Sequence, residues 1–105
     1  MYYTAEAKID LKAIYYYIGF ELMALKSAER QVNDIRRCIR GLELMPLRYP
    51  LIENLPNISI PLRRMPVDKY LVFYTVDCEA SVVKIIRIFY GGRNIEELFY
   101  RDILN

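Results

Sequence analysis

This chain of 105 residues contains no histidine and no tryptophan, and only two cysteines and four glycines. Without histidine there is no Ser–His or Cys–His nucleophilic couple, and no side chain whose ordinary pKa lies near neutrality. Zinc sites draw four ligands largely from Cys and His, and Cys38 with Cys78 falls short of that set. The same two cysteines are too few for a disulfide scaffold and read as small apolar residues in a reducing compartment. Gly91-Gly92 stands apart from any phosphate-cradling motif and reads as a turn at a strand end. The first apolar stretch is interrupted by Lys12, Gly19, Glu21 and Lys26, short of the roughly 20 apolar residues that span a bilayer. No signal peptide is visible. An intracellular, soluble protein with no membrane partner is the expectation.

Charge excludes less. Fifteen basic against thirteen acidic residues leave a net +2, which marks no obvious polyanion binder, although local clustering still matters. Carboxylates are scattered and form no evident acid/base pair. Nothing calls for a metal or an organic cofactor.

What is present is apolar and tyrosine-rich: 54% hydrophobic residues and ten tyrosines in a length suited to one domain, 1–105. Tyrosine suits half-wet surfaces, since its ring packs while its hydroxyl stays solvated. In AIYYYIGFELMAL (13–25) two apolar rows coexist. Leu11, Ile14, Ile18, Leu22 and Leu25 recur at helical spacing and predict a core-facing stripe. Tyr16, Phe20 and Met23 form a second row on another side. Either a partner covers that row, or the connection over 46–57 folds across it. Gly19 costs about 1 kcal/mol relative to alanine in a helix, so it either admits another backbone closely or is incidental.

Ser27 is a plausible N-cap for a second helix running to about Leu44, with Val32, Ile35, Ile39 and Leu42 as its apolar stripe. Its other side carries Glu29, Arg30, Asn33, Asp34, Arg36, Arg37 and Arg40, either a solvated face or a contact for acidic partner residues. The short break at Lys26-Ser27 predicts an antiparallel helical hairpin. PLRYPLIENLPN (46–57) holds three prolines and reads as irregular. ISIPLRRMPV (58–67) is strand-like, but Pro61 and Pro66 confine it to an edge. KYLVFYTVD (69–77) and VVKIIRIFY (82–90) are apolar on both alternating faces and predict central strands joined by a hairpin. Asn94 to Glu97 resembles a capping box opening a short helix to about Leu104. The order predicts an α+β fold: a helical hairpin packed on a small antiparallel sheet of three or four strands, with a short C-terminal helix.

Arginine and tyrosine remain as candidates for chemistry. Arg63, Arg64, Arg87 and Arg93 fall in or beside the sheet, with Tyr90 close by. Arg87 alternates with Val83, Ile85 and Phe89 on an otherwise apolar face. A charge there needs a partner or an opening to water. It is either salt-bridged to a carboxylate such as Glu97 or Asp77, or it contacts an anion in a concave site.

LRRMPVDKYLVFYTVD followed by VVKIIRIFYGGRNIEELF, behind AKIDLKAIYYYI, resembles the RelE/ParE superfamily of bacterial toxins from type II toxin–antitoxin systems. The resemblance covers nearly the whole chain and implies a bacterial, cytoplasmic toxin neutralised by a cognate antitoxin. RelE-like members cleave messenger RNA on the ribosome; ParE-like members inhibit DNA gyrase without nuclease chemistry. An RNase reading would assign Arg64, Arg87, Tyr90, Arg93 and Tyr100, since cleavage needs a group to activate the 2′-hydroxyl, cations around the phosphate and an acid for the leaving oxygen. Here, however, Leu71 stands where the RelE-like pattern has an arginine. Counted from Arg93, its tyrosine position falls on Phe99, with Tyr100 adjacent, and the C-terminal histidine of YoeB-like relatives is missing. These departures favour the ParE-like branch and inhibition by binding. A decayed toxin that only binds antitoxin is a further alternative, and a homodimer and a toxin–antitoxin hetero-oligomer are both open. For partner contact the resemblance and the two-row helix point to Tyr16, Phe20, Met23, Arg87 and Arg93. Only Met1-Tyr2-Tyr3 precedes the first helix, where the family has a full strand. Either that strand is stunted, leaving a sheet edge that could accept an antitoxin strand, or the reading frame begins upstream.

Overall fold

The first helix begins where Thr4 caps it. In the computed structural model, which describes residues 1–53 and 60–92, the Thr4 hydroxyl accepts from the Ala7 N–H at 3.0 Å and donates to the Ile86 carbonyl at 2.8 Å. One side chain thus caps a helix and ties it to the sheet, and N-caps of this kind contribute about 1 kcal/mol. Helix α1 spans Ala5–Tyr16 and runs directly into a π-helical turn, Tyr17–Glu21, in which the Leu22 N–H reaches back to the Tyr17 carbonyl at 3.0 Å. Helix α2 spans Leu25–Gly41 and returns alongside. It starts two residues before the expected Ser27, after Ala24, with no side-chain cap. The Ala28 N–H is instead held by the Ala24 carbonyl at 2.9 Å. Tight turns carry the chain from Gly41 to Leu44.

Four strands form one sheet in the order β1-β4-β3-β2: β1 (Tyr2–Tyr3), β2 (Arg63–Val67), β3 (Tyr70–Asp77) and β4 (Val82–Tyr90). β2, β3 and β4 are antiparallel, but the two-residue β1 lies parallel to β4, so the sheet is mixed rather than wholly antiparallel. β2, which contains Pro66, lies at the edge, where a missing N–H does least harm. The helices cover one face, placing Ala7, Leu11, Ile14, Val32, Ile35, Ile39 and Leu42 on Val72, Tyr74, Val83, Ile85 and Ile88. A second cluster, Leu62, Phe73 and Phe89 with Leu71 and Ile86, is buried on the opposite face. β3 and β4 are therefore buried on both sides, as their uninterrupted apolar runs imply.

Two departures from the regular pattern matter for function. The β3–β4 register shifts between Phe73, opposite Arg87, and Tyr74, opposite Ile85, so Ile86 is an extra residue in β4. A bulge of this kind reverses the alternation. Arg87 consequently does not continue the Val83–Ile85 face, and Ile88 takes the helix side instead. The second departure is the π turn, whose extra residue rotates everything after it. Ile18 stays half-buried, but the run ends at Glu21, so Leu22, its cap, and Leu25, the first residue of α2, leave the expected core stripe and are exposed. The expected C-terminal helix lies outside the described residues.

Candidate functional site

The π turn makes the elbow between the helices an apolar surface. Tyr16 and Phe20 stack with ring centroids 5.3 Å apart and planes inclined by 26°. Tyr16, Phe20 and Met23 are 57%, 59% and 89% exposed. Tyr17, Leu22 and Leu25 adjoin them and are also exposed. Single exposed apolar residues need no explanation, but a contiguous group of large ones marks a contact surface. The connection from 46 to 53 is held elsewhere. The Tyr74 hydroxyl donates to the Pro46 carbonyl at 3.0 Å, Arg63 Nη1 donates to the Tyr49 carbonyl at 2.6 Å, and the Ile52 N–H reaches the Leu62 carbonyl at 2.8 Å. Buried Gly19 sits where the elbow closes, and a Cβ there would come within 3.0 Å of Leu25 Cδ2 and 3.5 Å of Ala28 Cβ. Of the two readings of this glycine, close helix approach is the one realised.

Beneath the elbow, at the end of the sheet, Tyr17, Ile18, Leu22, Tyr70, Ile88 and Tyr90 line an open groove of about 770 Å³. Tyr70 and Tyr90 meet edge to face at 5.9 Å. Burial pushes the Tyr70 hydroxyl's pKa above its ordinary value, with Tyr17 and Tyr90 adding in the same direction. This groove sets tyrosine hydroxyls over an apolar floor, with Asp10, Asp68 and Lys69 also in its lining.

Of the arginine and tyrosine candidates, Arg64 and Arg87 share a sheet face, both opposite Phe73, but Tyr90 does not join them. Arg64 lies opposite Phe73, on the sheet face away from the helices. Tyr90 lies opposite Tyr70, on the helix face. Cross-strand partners share a face, so Arg64 and Tyr90 are on opposite sides of the sheet. The Arg87 guanidinium is held by Asp10 of α1 through Nε–Oδ2 at 2.8 Å and Nη2–Oδ1 at 3.0 Å, with both side chains largely buried. The salt bridge expected for Arg87 exists, to Asp10 rather than to Asp77; Glu97 lies outside the described residues. Arg93 and Tyr100 lie outside the described residues.

Asp10 is the residue that sequence reasoning missed. It lies on the buried side of α1, between Ala7, Leu11 and Ile14, and a lone carboxylate at that spacing is a detectable signal. Its Oδ2 also accepts from the Ile88 N–H at 2.9 Å. Together with Thr4, whose N–H donates to the Ile85 carbonyl at 3.0 Å, it occupies the β4 edge that short β1 leaves uncovered. An incoming strand would have to displace these side chains. Among the described residues no cluster of acidic, cysteine or histidine side chains could hold a metal, and no helix is long and apolar enough to cross a membrane.

The profile of a family described as ParE toxin of type II toxin-antitoxin system, parDE, matches residues 1–95. No curated protein sequence matches. Among solved structures, a chain of the chromosomal ParDE TA system from P. aeruginosa is similar, with a TM-score of 0.63 over 84% of this chain and 90% of that one. At 21% identity that likeness speaks for the fold.

Proposed function

This chain belongs to the ParE toxin family of type II toxin–antitoxin systems, and on that premise we propose that it arrests growth in the bacterial cytoplasm by binding DNA gyrase, under the control of a cognate antitoxin seated on Tyr16, Phe20 and Met23. The observation that carries the choice of a binding mechanism is the Asp10–Arg87 pair. RNA cleavage by the RelE-like route needs cations free to take charge as it develops on the phosphate. A guanidinium already engaged by a carboxylate at 2.8 and 3.0 Å is neutralised, and turning it to a phosphate would leave Asp10 largely buried without its counter-ion. The placement of Arg64 and Tyr90 on opposite sheet faces supports the same reading. Inhibition by binding needs no free cation, only an exposed contact surface.

The test is induction of the chain without antitoxin, following DNA and protein synthesis separately by labelled precursors. Early loss of DNA synthesis with an SOS response is expected. Early loss of translation would replace this reading with ribosome-dependent mRNA cleavage, and unimpaired growth would leave a decayed toxin that only binds its antitoxin.

A further inference from the structure

A second groove, of about 790 Å³, runs between α1 and α2. Half-buried Tyr3 and Tyr15 and exposed Tyr16 lie along it, over buried Leu11 and Val32. Tyr15 meets Tyr16 edge to face at 5.9 Å, and Tyr16 stacks on Phe20 at 5.3 Å, so the rings continue past the end of the groove onto the elbow. Lys8 and Lys12 of α1 and Arg36 and Arg40 of α2 stand on its rims, all exposed and, among the described residues, none in a salt bridge. Within each pair the residues are four apart, about 6 Å along a helix. The helices are antiparallel, so the pair early in α1 falls beside the pair late in α2. Among the described residues the lining offers one carboxylate, Glu29, which falls at the other end, near Tyr16. Arg36 and Arg40 both act electrostatically on the Tyr3 hydroxyl, which places the guanidiniums close to that ring. Cations and aromatic rings therefore share one channel.

We propose that this groove binds single-stranded nucleic acid, with phosphates on Lys8, Lys12, Arg36 and Arg40 and bases stacked on Tyr3, Tyr15 and Tyr16. A site that follows a single strand needs a cationic channel for the backbone and flat rings for the bases, since every base has a π-face whatever its sequence. A duplex would use the cations alone, because its bases are already stacked on one another and its outer surface is phosphate and sugar. Glu29 does not oppose the phosphates, since it stands at the end where rings rather than cations make the contact. Nor does the modest net charge of +2 count against the site. What a phosphate meets is the local field, and here four unpaired cations flank one channel. This activity goes beyond inhibition of gyrase and does not rest on it. Because Tyr16 belongs both to the groove and to the elbow, a strand held here and a partner seated on Tyr16, Phe20 and Met23 would exclude each other.

The experiment titrates the full chain, without antitoxin, into labelled oligothymidylate of about 12 nucleotides and follows fluorescence anisotropy over a range of salt. Oligouridylate, an abasic strand with the same number of phosphates, and a duplex of the same length are the other probes. Both base-bearing single strands are expected to bind, and the tighter of them names the preferred sugar. The abasic strand and the duplex should each bind at least about tenfold more weakly. The logarithm of affinity should fall with the logarithm of salt concentration with a slope of about −3, as four phosphate contacts require, and Arg36→Gln with Arg40→Gln should about halve that slope. Tyr16→Ala should weaken binding about tenfold and leave the slope unchanged. Since all three side chains are exposed, these variants should keep the wild-type circular dichroism spectrum and melting temperature. Abasic strand or duplex bound as tightly as oligothymidylate, a slope unmoved by the arginine variant, or no binding of either base-bearing strand would overturn the proposal. A failure here leaves the toxin reading untouched, because that reading is tested by growth and DNA synthesis in cells.

Discussion

The Asp10 carboxylate gathers three N–H groups at once: Arg87 Nε at 2.8 Å, Arg87 Nη2 at 3.0 Å and the Ile88 backbone N–H at 2.9 Å. It fastens the middle of α1 to the open edge of β4. Arg87 also lies over the Phe89 ring at 4.5 Å, which further fixes the guanidinium. Asp10→Ala should cost about 3–5 kcal/mol, because it removes the carboxylate that pairs with a mostly buried cation and accepts from an edge N–H. Replacing both partners by apolar residues, Asp10→Leu with Arg87→Met, should cost clearly less than the single change. Urea unfolding of the two variants checks this. A single variant no worse than the double would show that the pair is incidental.

The Tyr16–Phe20 stack is exposed and should be dispensable for folding. Tyr16→Asp with Phe20→Asp is expected to shift stability by no more than about 1 kcal/mol while abolishing neutralisation in co-expression with the antitoxin. Unimpaired neutralisation would remove the elbow from the antitoxin interface.

Met23 occupies a left-handed conformation, φ 54°, at the tip of the elbow. A side chain there costs about 1–2 kcal/mol, of which glycine's greater unfolded-state freedom returns part. Met23→Gly should therefore raise the melting temperature slightly and still weaken antitoxin binding, because an apolar contact is lost. Calorimetric melting and titration of the same sample separate the two effects.

Gly19→Ala sets two effects against each other. Alanine gains about 1 kcal/mol of helix propensity, while its Cβ would press on Leu25 Cδ2 at 3.0 Å. Since that atom ends a flexible, exposed side chain, the outcome should be near neutral. Gly19→Leu should instead cost about 1–3 kcal/mol by forcing the helices apart. Chemical denaturation of both variants is the measurement.

Burial pushes the Tyr74 hydroxyl's pKa above its ordinary value, outweighing the lowering effects of its backbone contact near Tyr49 and of Arg63. A raised folded pKa means that the folded state holds its proton more tightly than the unfolded chain. The contribution is therefore complete below the unfolded value of about 10 and is lost as pH rises through the folded one. Tyr3 and Tyr70 shift in the same direction by burial. Stability should fall above about pH 10, and Tyr74→Phe should flatten that fall while removing the 3.0 Å bond to Pro46. Alkaline titration of tyrosine absorbance with parallel melting curves checks both parts.

Periodicity carried much of the fold. The predicted stripe of α2, Val32, Ile35, Ile39 and Leu42, is buried throughout, and Pro66 does mark an edge strand. The two-faced burial of β3 and β4 was equally legible, down to the separation of Phe73 from Val72 and Tyr74. The errors cluster where regular geometry gains a residue. The first helical run closes in a π turn and ends at Glu21, which leaves Leu22 and Leu25 off its stripe, and the bulge at Ile86 moved Arg87 off the Val83–Ile85 face. Pattern counting assumes a constant pitch, and neither insertion announces itself in residue types. Arg87 could be seen to need a counter-charge, but Asp10 stands 77 positions away, and spacing along the chain has no means of pairing the two.

What the sequence by itself determined is the order of the two helices and of β2, β3 and β4, and the apolar stripe of α2, because helix and strand repeats are local properties of neighbouring residues. What only the tertiary structure decided is which charges are spent internally and which apolar groups stay uncovered. Asp10 neutralises Arg87, the connection at 46–53 is fastened along β2 and β3, and Tyr16, Phe20 and Met23 are left facing water. Those outcomes depend on distances between segments remote in the chain, and such distances exist only once the helices are seated on the sheet.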